Sequence, residues 1–323
     1  MDIIRFFDRH RQWNNRRVKW LDRLHLYGIF NIIWDFIANI VLAIYFKLTQ
    51  KKYSIDKLSH RVCKGLVISF TSFPKRIRYV WMTVESLLRQ ECLPERIILY
   101  LSKEQFPNGS ADLPKSLIRM CPRGLDIRFV DGDLRSHKKY FYAFQEFTDK
   151  VIVTVDDDAL YPEDLTKALW QSHLEHPGAV VGNRAKRIYS SIPVYEHWPQ
   201  ISGKCKCRDL LFIGCAGILY PPHVMHGDVF DVELIKRLAF SADDIWLSCM
   251  ARLNHADMVA TGYDYHHLQV LIPENETLIG VNMGGVTAVP LIESMNITAR
   301  KSAKGRLSIW WDREFKTASK EVC

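Results

Sequence analysis

The residues best suited to chemistry form a single run. Val151-Ile-Val-Thr-Val155 reads as a buried strand and passes straight into Asp156-Asp157-Asp158. Three adjacent carboxylates repel one another, so such a run needs compensation by a divalent cation, solvent or hydrogen-bond donors. Hard oxygen ligands suit Mg²⁺ or Mn²⁺. A cation held there would bridge diphosphate oxygens and offset charge on a departing nucleoside diphosphate. The competing structural reading is an acidic turn ahead of the helix that follows Pro162. A second acidic pair, Asp243-Asp244, stands at the start of a later helix. There Ser241-Ala-Asp-Asp244 fits a capping box, and both acids would meet the positive end of the helix dipole.

These groups need elements to hold them. Leu66-Val-Ile-Ser-Phe70, Arg96-Ile-Ile-Leu-Tyr-Leu101 and Ile127-Arg-Phe-Val130 read as further buried strands. Between them Val80, Trp81, Val84, Leu87 and Leu88 mark one helix face, and Tyr140, Phe141, Phe144 and Phe147 mark another. Strands alternating with helices imply βαβ units and a mostly parallel sheet, with ligands gathered beyond the strands' carboxyl ends. Further on, the pattern predicts a helix over 163–176, a strand over 179–182, an apolar run over 210–220, and helices over 231–240 and 243–254.

Taken together, the motifs resemble a known family. Thr71-Ser-Phe-Pro-Lys-Arg-Ile77, Ile97-Ile-Leu-Tyr-Leu-Ser102, Gly132-Asp-Leu-Arg-Ser-His-Lys-Lys139, Thr154-Val-Asp-Asp-Asp158 with Tyr161-Pro162, Gly217-Ile-Leu-Tyr-Pro-Pro222 and Ala242-Asp-Asp-Ile-Trp246 are similar in order and spacing to bacterial GT-A glycosyltransferases related to family 2, of the surface-polysaccharide (capsule or O-antigen) type. The similarity covers roughly residues 65 to 260. It implies a Rossmann-like α/β fold, a nucleotide-sugar donor, Mn²⁺ or Mg²⁺ at a D-x-D site, and a glycan or lipid-linked glycan acceptor.

By that resemblance Thr71, Ser72 and Phe73 line the nucleotide pocket, with Asp156 and Asp157 also on the donor side, and Asp158 with Asp156 ligates the metal. Arg76, Arg135, Lys138 and Lys139 are candidates for diphosphate contacts, because fixed cations stabilise developing leaving-group charge; His137 reads as structural. Asp244 matches the acid that takes the acceptor's proton in an inverting displacement, and Asp243 would support acceptor binding. Gly214-Cys-Ala-Gly217 would bring compact backbone near the sugar. Cys215-Ala216 and Asn282-Met-Gly-Gly285 depart from the family pattern. Two rivals fit less well. A magnesium-dependent phosphohydrolase of the haloacid dehalogenase type would open its fold with the acidic motif, and a non-catalytic membrane-associated binding module would use the acids only as caps.

The chain's composition, at 323 residues with 48% hydrophobic and 25% charged, is that of a folded protein and excludes disorder as the default. A net charge of +8 points to an anionic partner. The resemblance points to the donor, and the first sixty residues to an anionic membrane surface, with no nucleic acid beyond the donor nucleotide. Residues 1–60 form a basic, aromatic opening followed by an apolar run from Leu26 to Leu48. Asn31, Asp35 and Asn39, spaced by four, make a narrow polar stripe on an otherwise apolar helix, and lysines and arginines flank the run on both sides. An in-plane helix at a membrane surface accounts for this, with a helix docked through its wide apolar face as the alternative. The expected organisation is therefore a membrane-associating segment over 1–60, a catalytic domain over 61–298, and a basic aromatic tail over 299–323. The expected location is the cytoplasmic face of the cell membrane. Sequons at Asn108, Asn275 and Asn296 leave a secretory-pathway lumen as the other location, and the eight scattered cysteines are expected to be free thiols.

Overall fold

The computed structural model describes residues 2–14, 26–189 and 197–272. The aromatic tail, Asn282-Met-Gly-Gly285 and the sequons at Asn275 and Asn296 lie outside the described residues. The architecture is the expected mixed α/β one. Ten strands are described: β1 (Leu66–Thr71), β2 (Arg96–Ser102), β3 (Leu125–Val130), β4 (Val151–Thr154), β5 (Val180–Gly182), β6 (Ala185–Arg187), β7 (Lys204–Lys206), β8 (Leu210–Phe212), β9 (Ile218–Tyr220) and β10 (Met258–Thr261). The helices are α1 (Ile3–Asn14), α2 (Leu26–Thr49), α3 (Val80–Leu87), α4 (Lys115–Ile118), α5 (Lys138–Glu146), α6 (Leu165–Glu175), α7 (Val232–Leu238) and α8 (Asp243–Leu253).

Eight strands form one sheet in the order β3-β2-β1-β4-β9-β5-β10-β7, and β6 pairs with β8 apart from it. β1 pairs in parallel with both β2 and β4. The chain therefore runs outward from β1 through β2 to β3, then returns to start the other half at β4. The strand order reverses between β1 and β4, and this is where an open α/β sheet leaves a crevice beyond its carboxyl ends. Both faces of this half are buried: α5 covers Val67, Ile98 and Ile152, while α3 covers Leu66, Ile68, Leu99 and Val153. Burial on both sides explains why these strands read as continuous apolar runs.

The apolar run at 210–220 divides. β8 leaves the main sheet, Gly214–Ala216 makes a 3-10 turn, and β9 enters between β4 and β5 antiparallel to both. β7 and β10 were not foreseen; each is short, and β7 is an antiparallel edge.

The first two helices share a core with the sheet domain. Ile4 and Phe7 of α1 and Ala38, Leu42 and Phe46 of α2 pack with Met82, Leu160, Leu268 and Val270. α2 does not dock through its wide apolar face. Its polar stripe turns inward instead, because the backbone lying beside it offers hydrogen bonds: Asn39 Nδ2 donates to the Gln269 carbonyl at 2.9 Å, and the Leu271 N–H donates to Asn39 Oδ1 at 3.0 Å. Asp35 accepts from Arg11 of α1 at 3.0 Å.

The expectation of free thiols fails at one pair. Cys63 and Cys92 form a disulfide across a separation of 29 residues, joining the entry to β1 with the turn after α3. Nothing local in the sequence links them; the parallel bridge between Val62 and Leu93 brings them together. A cross-link closing a loop of this length is worth about 3.6 kcal/mol. Reduction, or replacement of both cysteines by alanine, is expected to lower unfolding free energy by about that amount. A denaturation midpoint insensitive to reductant would show that the bond contributes nothing.

Candidate active site

The carboxyl ends of β1 and β4 place the predicted groups side by side. Thr71 ends β1 and donates through Oγ1 to the Tyr100 carbonyl at 2.8 Å, which leaves Ser72 and Phe73 on the loop facing the acidic turn. Ser72 Oγ donates to Asp157. Arg76, stacked 5.3 Å over the Phe73 ring, reaches Asp157 Oδ1 and Asp158 Oδ2, each at 2.9 Å. The carbonyl of Asp157 accepts from Thr83 Oγ1 at 2.8 Å, and the Asp156 N–H donates to the Tyr161 hydroxyl at 2.9 Å.

The second cluster meets the first through one lysine. Lys139, on the first turn of α5 and almost wholly buried, stands 2.8 Å from Asp156 Oδ1 and 2.8 Å from Asp243 Oδ2. It thereby joins the end of β4 to the start of α8, positions 87 residues apart in sequence. Burial would lower the lysine's pKa, but Asp156, Asp243 and Asp244 outweigh it and hold the ammonium charged well above its usual range. Asp243 responds in kind: burial opposes its charge, yet Lys139 and its neighbours hold its pKa below the usual carboxylate value.

Asp244 has the opposite character. Burial, and then the charge of Asp243, push its pKa up to about 7. One of its oxygens accepts the Gly214 N–H at 2.8 Å. A Cβ at Gly214 would lie 2.5 Å from Asp244 Oδ1 and would force that carboxylate to shift. The close approach that glycine permits is thus made by a protein carboxylate. The N-cap of α8 is Ala242, which makes no side-chain hydrogen bond to the helix end. Both acids are turned to other partners.

The remaining candidates lie further off. Lys138 pairs with Asp133, and Arg135, in the left-handed region with φ 51°, stacks 4.5 Å over the Phe240 ring. His137 is buried between the Tyr140 hydroxyl at 2.9 Å and the Ala239 carbonyl at 2.8 Å, and burial lowers its pKa, so it is a neutral structural group.

A strap of chain over 264–271, invisible in the sequence patterns, completes the neighbourhood. The Val270 N–H donates to the Asp158 carbonyl at 2.7 Å, and the Leu160 N–H donates to the Leu268 carbonyl at 2.9 Å. On its other side, Asp8 accepts the His266 N–H at 3.1 Å, and Arg11 donates to the carbonyls of His266 at 3.0 Å and His267 at 2.6 Å. His267 adopts φ 63°, and burial pushes its pKa down to about 4 against the pull of Asp156. Its Nε2 has no hydrogen-bond partner. The paired His266-His267 was the available signal, but no spacing tied it to the acidic motif.

Among the described residues no three His, Cys, Asp or Glu side chains form a ready-made metal cage. Two carboxylates supplemented by substrate phosphates and water are, however, an ordinary donor set for Mg²⁺. Asp157 has both oxygens engaged, by Ser72 and Arg76, whereas Asp156 is paired with Lys139 through Oδ1 and Asp158 with Arg76 through Oδ2, so Asp156 and Asp158 are the pair that could each turn an oxygen to such a cation. Burial and the adjacent Asp157 push Asp158 up to about 7, the behaviour of a site with more negative than positive charge. The residues present fit a divalent cation.

No family model matches the chain, and no curated protein matches it. Solved structures similar to it include S. aureus TarS 1-349 in complex with UDP-GlcNAc, at 12% identity and TM-score 0.41, covering 72% of this chain and 64% of that one. They also include a mannosyltransferase, PcManGT from Pyrobaculum calidifontis, in complex with GDP-Man and Mn²⁺, at 10% identity and TM-score 0.39, covering 81% of each chain. An apo UDP-glucose pyrophosphorylase matches at 10% identity and TM-score 0.39 over 73% of this chain and 98% of its own. Likeness at this level does not bear on chemistry, which rests on the chain's own residues.

Lys139→Met tests the junction. Removing one member of a buried ion network leaves the others uncompensated and costs about 3–5 kcal/mol. Asp243 has a depressed folded pKa, so its contribution is present above the ordinary carboxylate value of 3.8 and is lost as pH falls through the folded value. The deficit of the variant is therefore expected in full near neutral pH and should shrink below about pH 4. A deficit independent of pH would contradict the electrostatic role.

Proposed function

We propose that the chain is a glycosyltransferase that moves a sugar from a nucleotide-sugar donor to a hydroxyl of a glycan or lipid-linked glycan, with a divalent cation at Asp156 and Asp158, in surface-polysaccharide assembly. The observation that carries this reading is the meeting of two carboxylate clusters at the switch point between β1 and β4, with opposite pKa shifts on Asp243 and Asp244. A pair of acids driven apart in this way divides the work: one stays charged, the other accepts a proton near neutrality.

In this reading the loop of Ser72 and Phe73 borders the nucleotide. The bound cation would neutralise charge on the diphosphate as it departs. Arg76 and Lys139 are the fixed cations next to that charge, and their burial strengthens their effect. Asp244 takes the proton from the acceptor hydroxyl as the acceptor oxygen bonds to the anomeric carbon. The bond from that carbon to the diphosphate breaks, and its electron pair leaves with the nucleoside diphosphate. One displacement inverts the anomeric configuration. Asp243, held by Lys139, fixes the first turn of α8 so that Asp244 points at its task.

Two variants test this with a panel of nucleotide sugars, Mn²⁺, and nucleoside diphosphate release as the readout. Asp158→Asn is expected to abolish metal-dependent release while the melting temperature holds or rises, since a buried carboxylate with a raised pKa carries a charge the fold disfavours. Turnover at the wild-type rate with unchanged metal dependence would remove the central claim.

Asp244→Asn is expected to bind donor normally and to turn over about 10² to 10⁴ times more slowly. The base must be unprotonated, so wild-type kcat should fall as pH drops below about 7 and the variant should lose that acid limb. A product of retained configuration would rule out the single displacement.

A further inference from the structure

α2 is amphipathic in the reverse of the usual sense. Its polar positions Asp35 and Asn39 are 8% and 9% exposed, while Ile32 and Leu48 are 68% and 79% exposed. Phe30, Phe36, Ile40 and Ile44 are exposed with them, so among the described residues an apolar face runs almost the whole length of a 24-residue helix. At 1.5 Å per residue that is about 36 Å. A soluble surface rarely carries so large a contiguous apolar patch unless something covers it.

We propose that this face seats the protein on a lipid bilayer, with α2 lying in the plane of the headgroup and acyl boundary. Three observations select lipid over another occupant. The stripe that would conflict with hydrocarbon is turned inward: Asp35 is paired with Arg11 through one oxygen, and Asn39 is bonded to the strap backbone. Lys51, Lys52 and Lys57 cluster just past the C-terminal end of the helix, where anionic headgroups would meet them, in a chain of net charge +8. The same cationic clusters would repel one another between two copies packed face to face. The helix lies on the bilayer and does not cross it, because Ala38, Leu42 and Phe46 are packed against Met82, Leu160, Leu268 and Val270 of the sheet domain. The seat is a property of the whole chain, since the inward stripe needs residues 266–271 to satisfy it.

The test is flotation of the full chain with vesicles of phosphatidylcholine alone and of phosphatidylcholine mixed with phosphatidylglycerol, beside the variant Ile32→Glu/Phe36→Glu/Ile44→Glu. The three positions point outward, so melting temperature and donor binding should be unchanged. The wild type is expected to float with both vesicles and more with the anionic one. High salt should remove only the anionic increment. The variant should lose vesicle affinity by about a hundredfold or more. Wild-type protein left at the bottom of both gradients would overturn the proposal, as would a wild-type dimer that the variant converts to monomer with no change in flotation. Failure of the transferase reading would leave this result untouched, because flotation requires neither donor nor metal.

Discussion

The charge on Lys139 is the constraint around which the rest is arranged. It lies buried between Asp156 on the sheet and Asp243 on α8, and without it two carboxylates would face each other in a medium that stabilises neither. The arrangement depends on helix placement more than on the lysine itself. α5 must cross β1 and β4 so that its first turn reaches the strand ends, and the buried Tyr140 and Ala143 hold it there. Ser69 of β1 ties the same turn down by donating to the Lys139 carbonyl.

The five carboxylates around this centre are not equivalent. Two are structural in effect: Asp157, clasped by Ser72 and Arg76, fixes the turn, and Asp243 fixes the start of α8. Burial leaves Asp158 and Asp244 with protons held near neutrality, and each is exposed enough to meet a small ligand. Excess negative charge in a closed fold is costly, and here it shows as the raised pKa of both carboxyls.

Much of this was legible in the sequence. The parallel half was, because strands buried on both faces leave unbroken apolar runs such as Leu66–Phe70, and because β4 leads directly into its acids. The second half was not: three-residue strands such as β7 carry almost no periodicity, and the antiparallel insertion of β9 depends on neighbours far away in the chain. Asp244 was singled out by resemblance, whereas its pKa difference from Asp243 arises from Lys139 and burial and could not be read locally. The disulfide and the strap were missed for the same reason, since each joins positions that only the folded sheet brings together.

The strap has a consequence for how the protein matures. Its 266–267 portion is fixed by Asp8 and Arg11, more than 250 positions earlier, and the 268–270 portion pairs with the acidic turn itself. α1 thus waits for nearly the last described segment before its hydrogen bonds to the strap exist. Contacts of such long range form late and slowly. A nascent chain carries every carboxylate of the centre well before it can order them. Shortening the chain from its front to remove the apolar helix would leave the same incomplete state as stopping synthesis early, with the acidic turn present and its flank unsupported.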